Sequence, residues 1–97
     1  MAKKAKTLEE MQNLGPKTSE RLRSVGIDTP EKLLKIGAVE AYCRLKMLYP
    51  DTTSLLALTA IEGAIMDIHW QDVPDVLTDA LKLEVWETLR SNKKTST

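Results

Sequence analysis

The stretch Leu55-Leu56-Ala57-Leu58-Thr59-Ala60-Ile61-Glu62-Gly63-Ala64-Ile65-Met66-Asp67-Ile68 decides the fold. Only Thr59, Glu62 and Asp67 interrupt its apolar character, and nothing in it alternates as a half-buried strand must. It reads as a helix from Leu55 to about His69, apolar nearly all round, and a helix of that kind belongs at the buried centre of a fold. It is too short to span a bilayer, and it carries Glu62 and Asp67. Gly63 sits beside Ala60 and Ala64, which lets another helix approach closely; in a helix interior a glycine costs about 1 kcal/mol relative to alanine.

Working outward, Asp51 to Ser54 offer a choice of caps for this helix, and Pro50 stops the one before it. That preceding helix spans about Ala38 to Tyr49, with Ala38, Ala41, Tyr42, Leu45 and Leu48 at three- and four-residue spacing. Upstream, Thr29 caps and Pro30 opens a short helix that ends near Gly37. Another runs from about Pro16 to Val25, with Gly26 where a left-handed residue closes a helix. Thr7 with Glu10 three residues on predicts a capping box over Leu8-Glu9-Glu10-Met11. Downstream, Asp72 is the expected cap of a last helix from about Val73 to Arg90. Met1 to Lys6 and the polar tail after Ser91 are expected to be disordered or frayed. No hairpin dipeptide or alternating run occurs anywhere. The fold class is all-α, five to six short helices around a buried central helix, in one domain over about residues 7–91.

Composition bounds the function. The chain has 97 residues, one domain's worth, with 42% hydrophobic and 29% charged residues, a globular mixture. There is no Phe, so the core must be aliphatic. Cys43 is the only cysteine and His69 the only histidine, which excludes an internal disulfide and a Cys/His zinc site and fits a cytoplasmic setting. The basic N-terminus is followed by no apolar run and is not a signal peptide. Net charge is zero but uneven: residues 1–50 hold ten Lys/Arg against six Asp/Glu, and residues 51–97 hold four against eight. Two ordinary solvated faces account for this, and so does a basic end that meets an anionic partner.

Catalysis finds little support. His69 follows an apolar helix and reads as a group that closes it by bonding its last carbonyls. Cys43, on a helix among Tyr42, Arg44 and Leu45, reads as a small buried hydrophobe. No nucleophile–base arrangement, phosphate loop or dinucleotide fingerprint is present. No catalytic, cofactor-binding or metal residue is expected, and no enzyme.

The segment Asn13-Leu14-Gly15-Pro16-Lys17-Thr18-Ser19 is similar to the turn of a helix-hairpin-helix module, Leu-Pro-Gly-Ile-Gly-x-x-x-Ala. Such a turn exposes backbone N–H groups at a helix N-terminus, where a phosphate can sit. Met11, Leu14, Gly15 and Ser19 fit; Asn13 replaces the first glycine and can adopt its left-handed conformation, and Gln12 replaces the proline. Gly15, Lys17, Thr18 and Arg21 are the candidate phosphate or DNA contacts, with Lys17 and Arg21 one turn apart; a purely structural turn is the other reading. Ile36-Gly37-Ala38-Val39-Glu40-Ala41 echoes the spacing, but Glu40 in the turn makes it a packing element.

The resemblance extends further. Leu14-Gly15-Pro16-Lys17, Val25-Gly26-Ile27, Gly37-Ala38-Val39-Glu40-Ala41-Tyr42, Leu45-Lys46, Ile61-Glu62-Gly63-Ala64 and His69-Trp70, in this order, resemble the C-terminal domain of the TfoX (Sxy) family from about Leu8 to Trp86. The resemblance implies a bacterial, all-helical domain of helix-hairpin-helix or SAM-like type, related to regulators of competence for DNA transformation that work with the cyclic-AMP receptor protein at promoters. Those regulators carry a separate domain ahead of this one, where this chain has six residues, so a stand-alone copy is expected and activity that needs the other domain is not carried over. The family pattern transfers no catalytic residue.

On the last helix Val73, Leu77, Leu81 and Val85 form one stripe, while Val76, Leu83 and Trp86 fall on the other side of the helical wheel. Three apolar residues on one side, one of them Trp, suit a contact surface, although another helix or the N-terminal segment could cover them equally well. The function read from the sequence is therefore protein–protein contact in transcription regulation, with a protein partner such as a transcription factor, or a second copy as a homodimer. The alternative is weak, sequence-independent DNA binding through Leu14 to Lys17, against which zero net charge counts. No membrane partner is expected.

Overall fold

The computed structural model describes residues 5–95, with side chains described from Ala5 to Ser91. The first four residues of the basic N-terminus and the last two of the polar tail lie outside the described residues, as do the side chains of residues 92–95. Five α-helices follow one another: α1 Pro16–Ser24, α2 Pro30–Ile36, α3 Ala38–Leu48, α4 Leu55–Met66 and α5 Asp75–Thr95. Two 3-10 turns, Leu8–Glu10 and Trp70–Asp72, precede α1 and α5. No strand occurs among the described residues.

The boundaries follow from local chemistry. Pro16 and Pro30 each open a helix at a position whose N–H would have no partner. Thr29 Oγ1 accepts from Lys32 N at 3.2 Å, as a cap should. After α1, Gly26 takes φ +86° while Ile27 N donates to Leu22 O and Gly26 N to Arg23 O, a Schellman closure with Leu22 and Ile27 both fully buried. The expected capping box does not form. The Thr7 side chain caps nothing, and the Glu10 carboxylate instead accepts from Lys6 N at 2.7 Å, so only a 3-10 turn results.

Two further expectations are corrected. The helix read to His69 ends at Met66, because Asp67 goes left-handed (φ +60°) and a second Schellman closure forms, with Ile68 N on Gly63 O and Asp67 N on Ala64 O. The last helix starts at Asp75, not Val73: Val73 precedes Pro74 and is held extended, and Pro74 O accepts the N–H groups of Leu77 and Thr78. Val73 is nonetheless buried, from the loop rather than from the helix. At its other end α5 continues past Arg90 to Thr95.

The core is aliphatic, as the absence of Phe requires, with Leu8, Leu22, Ile27, Leu33, Leu45, Leu58 and Ile61 fully buried and Tyr42 its one buried aromatic ring. Its organising element is α3, which packs against α1, α2, α4 and α5 and buries Ala38, Ala41, Tyr42, Cys43 and Leu45. Although α4 is the more apolar helix, it buries only Leu58, Ile61, Gly63 and Ala64. It packs on α3, on the Trp70–Asp72 turn and on α5, while Leu55 and Leu56 in its first turn stay about half exposed.

Candidate functional site

The hairpin-like turn is built by Asn13. Its backbone takes φ +69°, the conformation that glycine usually supplies at that point. Its side chain then reaches across the molecule: Nδ2 donates to Ile68 O at 3.0 Å and to Ala60 O at 3.3 Å, and Oδ1 accepts from Trp70 N at 3.0 Å. One amide thereby joins the N-terminal loop, the C-terminal end of α4 and the turn before α5. The contact needs Gly63: a Cβ there would lie 2.5 Å from Asn13 Nδ2, 2.9 Å from Ile68 O and 3.3 Å from Trp70 Cα. The close approach expected at Gly63 is real, but the group that approaches is an amide and a turn, not a helix. Three of the sequence blocks quoted above (Leu14–Lys17, Ile61–Ala64, His69–Trp70) thus meet in or next to one hydrogen-bonded knot.

The turn delivers the N-terminus of α1 to the surface. Gly15 is exposed, and no side chain caps this end. Ser19 N bonds to Gly15 O as the first intrahelical link, leaving the N–H groups ahead of it open. Gly15, Lys17 and Thr18 share this end of α1, with Lys17 exposed and Thr18 half-buried. Arg21, one turn on, lies with its guanidinium carbon 5.2 Å from the Tyr49 ring centroid, a cation–π contact that ties α1 to the end of α3. Ser19 is fully buried beneath the turn, its hydroxyl without a hydrogen-bond partner.

Four other bases of the N-terminal half are engaged inside the molecule. Arg23 makes two 2.7 Å hydrogen bonds to Glu9, which hold that carboxyl down at about 2. Arg44 binds Glu40 and Val25 O, Lys32 pairs with Asp28, and Lys46 donates to Pro50 O and Thr53 O. In the echo of the turn, Gly37 (φ +88°) joins α2 directly to α3, and Glu40 turns to Arg44. Four of the bases that make the first half of the sequence positive are thus already paired or hydrogen-bonded within the molecule.

The sole histidine and the sole cysteine have structural places. His69 does not bond the last carbonyls of α4, since the helix closes three residues earlier; its Nδ1 accepts from Gln71 N at 3.2 Å and caps the second 3-10 turn, with its ring stacked on Trp70. Cys43 is buried, and burial pushes its thiol pKa up, with Glu40 adding to the shift, which is the reverse of activation. Among the described residues no group of three His, Cys, Asp or Glu could hold a metal ion, and no helix is long and apolar enough to cross a membrane.

The outer face of α5 carries three exposed apolar residues. Leu81 and Val85 are buried and Leu77 packs on the core, while Val76, Leu83 and Trp86, on the far side of the helix, are 82%, 63% and 69% exposed. No part of the described chain covers them. Sequence periodicity found this face. It missed the reach of Asn13 and the Arg21–Tyr49 contact, whose partners lie 28 to 57 residues away; the only local signals were an Asn in a glycine position and a Gly inside a helix.

The TfoX C-terminal domain family matches residues 4–85. Two solved structures from Listeria monocytogenes are similar in fold and sequence. One, an uncharacterized protein in a triclinic crystal form, is 30% identical with a TM-score of 0.74, covering 78% of this chain and 85% of the other. The second, a protein of unknown function in a tetragonal form, is 30% identical with a TM-score of 0.71, covering 84% of this chain and 99% of the other. The chain matches none of the curated proteins.

Proposed function

The chain belongs to the family of the TfoX C-terminal domain, and from that premise we propose that it is a non-enzymatic interaction module of bacterial transcription regulation, akin to the C-terminal domains of competence regulators. It works in the cytoplasm through a protein–protein contact on the outer face of α5. The observation that carries this reading is the exposure of Val76, Leu83 and Trp86 on a helix whose opposite stripe already fills the core. A helix with one buried face needs no second apolar stripe, and a Trp amid aliphatic residues is the usual anchor of a protein interface. The inactivated state of the only thiol and the capping role of the only imidazole support a module without chemistry of its own. The test is capture of partners from a bacterial lysate by the tagged full chain, with and without nuclease. A protein partner that survives nuclease supports the reading; partners that vanish with nuclease contradict it.

A second reading, weak DNA binding, draws on the left-handed Asn13 and the uncapped N-terminus of α1 beside Lys17. The internal pairing of Arg23, Arg44 and Lys32 argues that few phosphates would be contacted, and affinity would stay in the non-specific range.

A further inference from the structure

We propose that the outer face of α5 takes a second copy of this chain, the two α5 helices packing antiparallel about a two-fold axis between Leu83 and Trp86. The proposal rests on the reading of α5 as an interaction face and commits it to one occupant.

The seam is written in the register of α5. Val76, Asp79, Leu83, Trp86 and Arg90 follow one another at steps of three, four, three and four residues, the spacing that keeps one stripe facing a partner helix. All five are exposed, and among the described residues neither Asp79 nor Arg90 makes an ion pair. The middle of the seam is apolar and its two flanks carry opposite charges. Laid antiparallel, Leu83 of each copy meets Trp86 of the other, and Asp79 meets Arg90 on both sides of these central layers. Laid parallel and in register, Asp79 would face Asp79 and Arg90 would face Arg90. The charges therefore select the antiparallel arrangement. The helix dipole does not explain them, because Asp79 lies beyond the first turn of α5 and Arg90 ahead of its last, where that effect has faded.

Length supports the same pairing. At 21 residues α5 spans about 31 Å, against about 17–18 Å for α3 and α4, on which it packs. Among the described residues Leu89 is the last apolar residue of α5 that packs on the core. Antiparallel pairing lays the overhanging end of one α5 along the start of the other, a two-fold contact that buries the same patch from both copies.

The test is sedimentation of the full chain up to about 1 mM, so that even a millimolar association registers. The wild type should form a dimer. Asp79→Arg and Arg90→Glu should each weaken it about tenfold or more, because each change converts two attractive pairs into two repulsive ones. Asp79→Arg combined with Arg90→Glu should restore the dimer to within about threefold of wild type, since the pairs are re-formed with their signs exchanged. Both residues are exposed, so helix content should stay unchanged in all three variants. A chain that stays monomeric at every concentration overturns the proposal, as does a dimer indifferent to both reversals or a double variant no tighter than the single ones. A monomer that still captures a nuclease-resistant partner defeats self-pairing alone and leaves the broader reading of α5 standing.

Discussion

Replacing Gly63 by alanine should destabilise this protein, although alanine is the better helix former. In an exposed helix interior the change gains about 1 kcal/mol. Here the new methyl group would sit 2.5 Å from Asn13 Nδ2 and 2.9 Å from Ile68 O. The amide can swing away, but the carbonyl belongs to the backbone of the turn that closes α4. If Asn13 withdraws, its bonds to Ala60 O, Ile68 O and Trp70 N are lost. At about 0.5–1.5 kcal/mol each, those three bonds sum to about 1.5–4.5 kcal/mol. Subtracting the propensity gain leaves a net loss of about 0.5–3.5 kcal/mol, which brackets the range for overpacking a core by a methyl group. Urea unfolding followed by circular dichroism measures it, and a cycle with Asn13→Ala isolates the cause. In the Asn13→Ala background the penalty should shrink by at least about 1 kcal/mol, since only the backbone conflict remains. A Gly63→Ala protein as stable as wild type or more so would refute the reasoning, and so would an equal penalty in both backgrounds.

Ile61→Ala should lose about 2–5 kcal/mol in the same assay, because Ile61 is fully buried and its truncation leaves a cavity; parent-like stability would show that the site collapses without cost. Glu62 has its pKa raised, first by burial and then by Glu84, so its ionised form is disfavoured in the fold. That penalty is absent below the ordinary carboxylate range and present once the folded carboxyl ionises, so Glu62→Gln should raise the melting temperature at pH 7 and not in acid. Glu9, held at about 2 by Arg23, acts in the opposite sense: its contribution is present above its usual 4.5 and lost as pH falls toward 2, so Glu9→Gln should flatten the acid limb of the stability curve. If the uncapped end of α1 binds DNA, a titration at physiological salt should give an affinity no better than about 10⁻⁴–10⁻⁶ M, abolished by Lys17→Glu; tight, sequence-specific binding would favour that reading over protein contact.

Much of the fold was legible because its punctuation is local. Pro16, Pro30, Thr29 and Gly26 act through their own φ angles and hydrogen-bonding groups, and each does in the structure what its chemistry dictates. The errors came where tertiary context overrides local preference. Asp67 goes left-handed where a continuing apolar run suggested three more helical residues, and Glu10 serves Lys6 rather than a capping box. Apolarity placed α4 at the centre, yet α3 holds that position, because what matters is how many neighbours a helix has and not how apolar it is. For the candidate face, the helical wheel separated Val76, Leu83 and Trp86 from the core stripe, and in the structure these three are exposed while Leu81 and Val85 are buried. Asn13 shows the limit of such reading. Its left-handed backbone was visible from the glycine it replaces, but its side-chain partners at Ala60, Ile68 and Trp70 are set by how the chain packs.

The most direct test of the account compares what the wild-type chain and Trp86→Glu retain from one nuclease-treated bacterial lysate. Trp86 is 69% exposed, so the variant should unfold within about 0.5 kcal/mol of the parent, as surface substitutions usually do. The account predicts that the folded variant loses the protein held by the wild type. Equal retention by a folded Trp86→Glu would contradict a contact through α5, and a variant that unfolds would return Trp86 to the core.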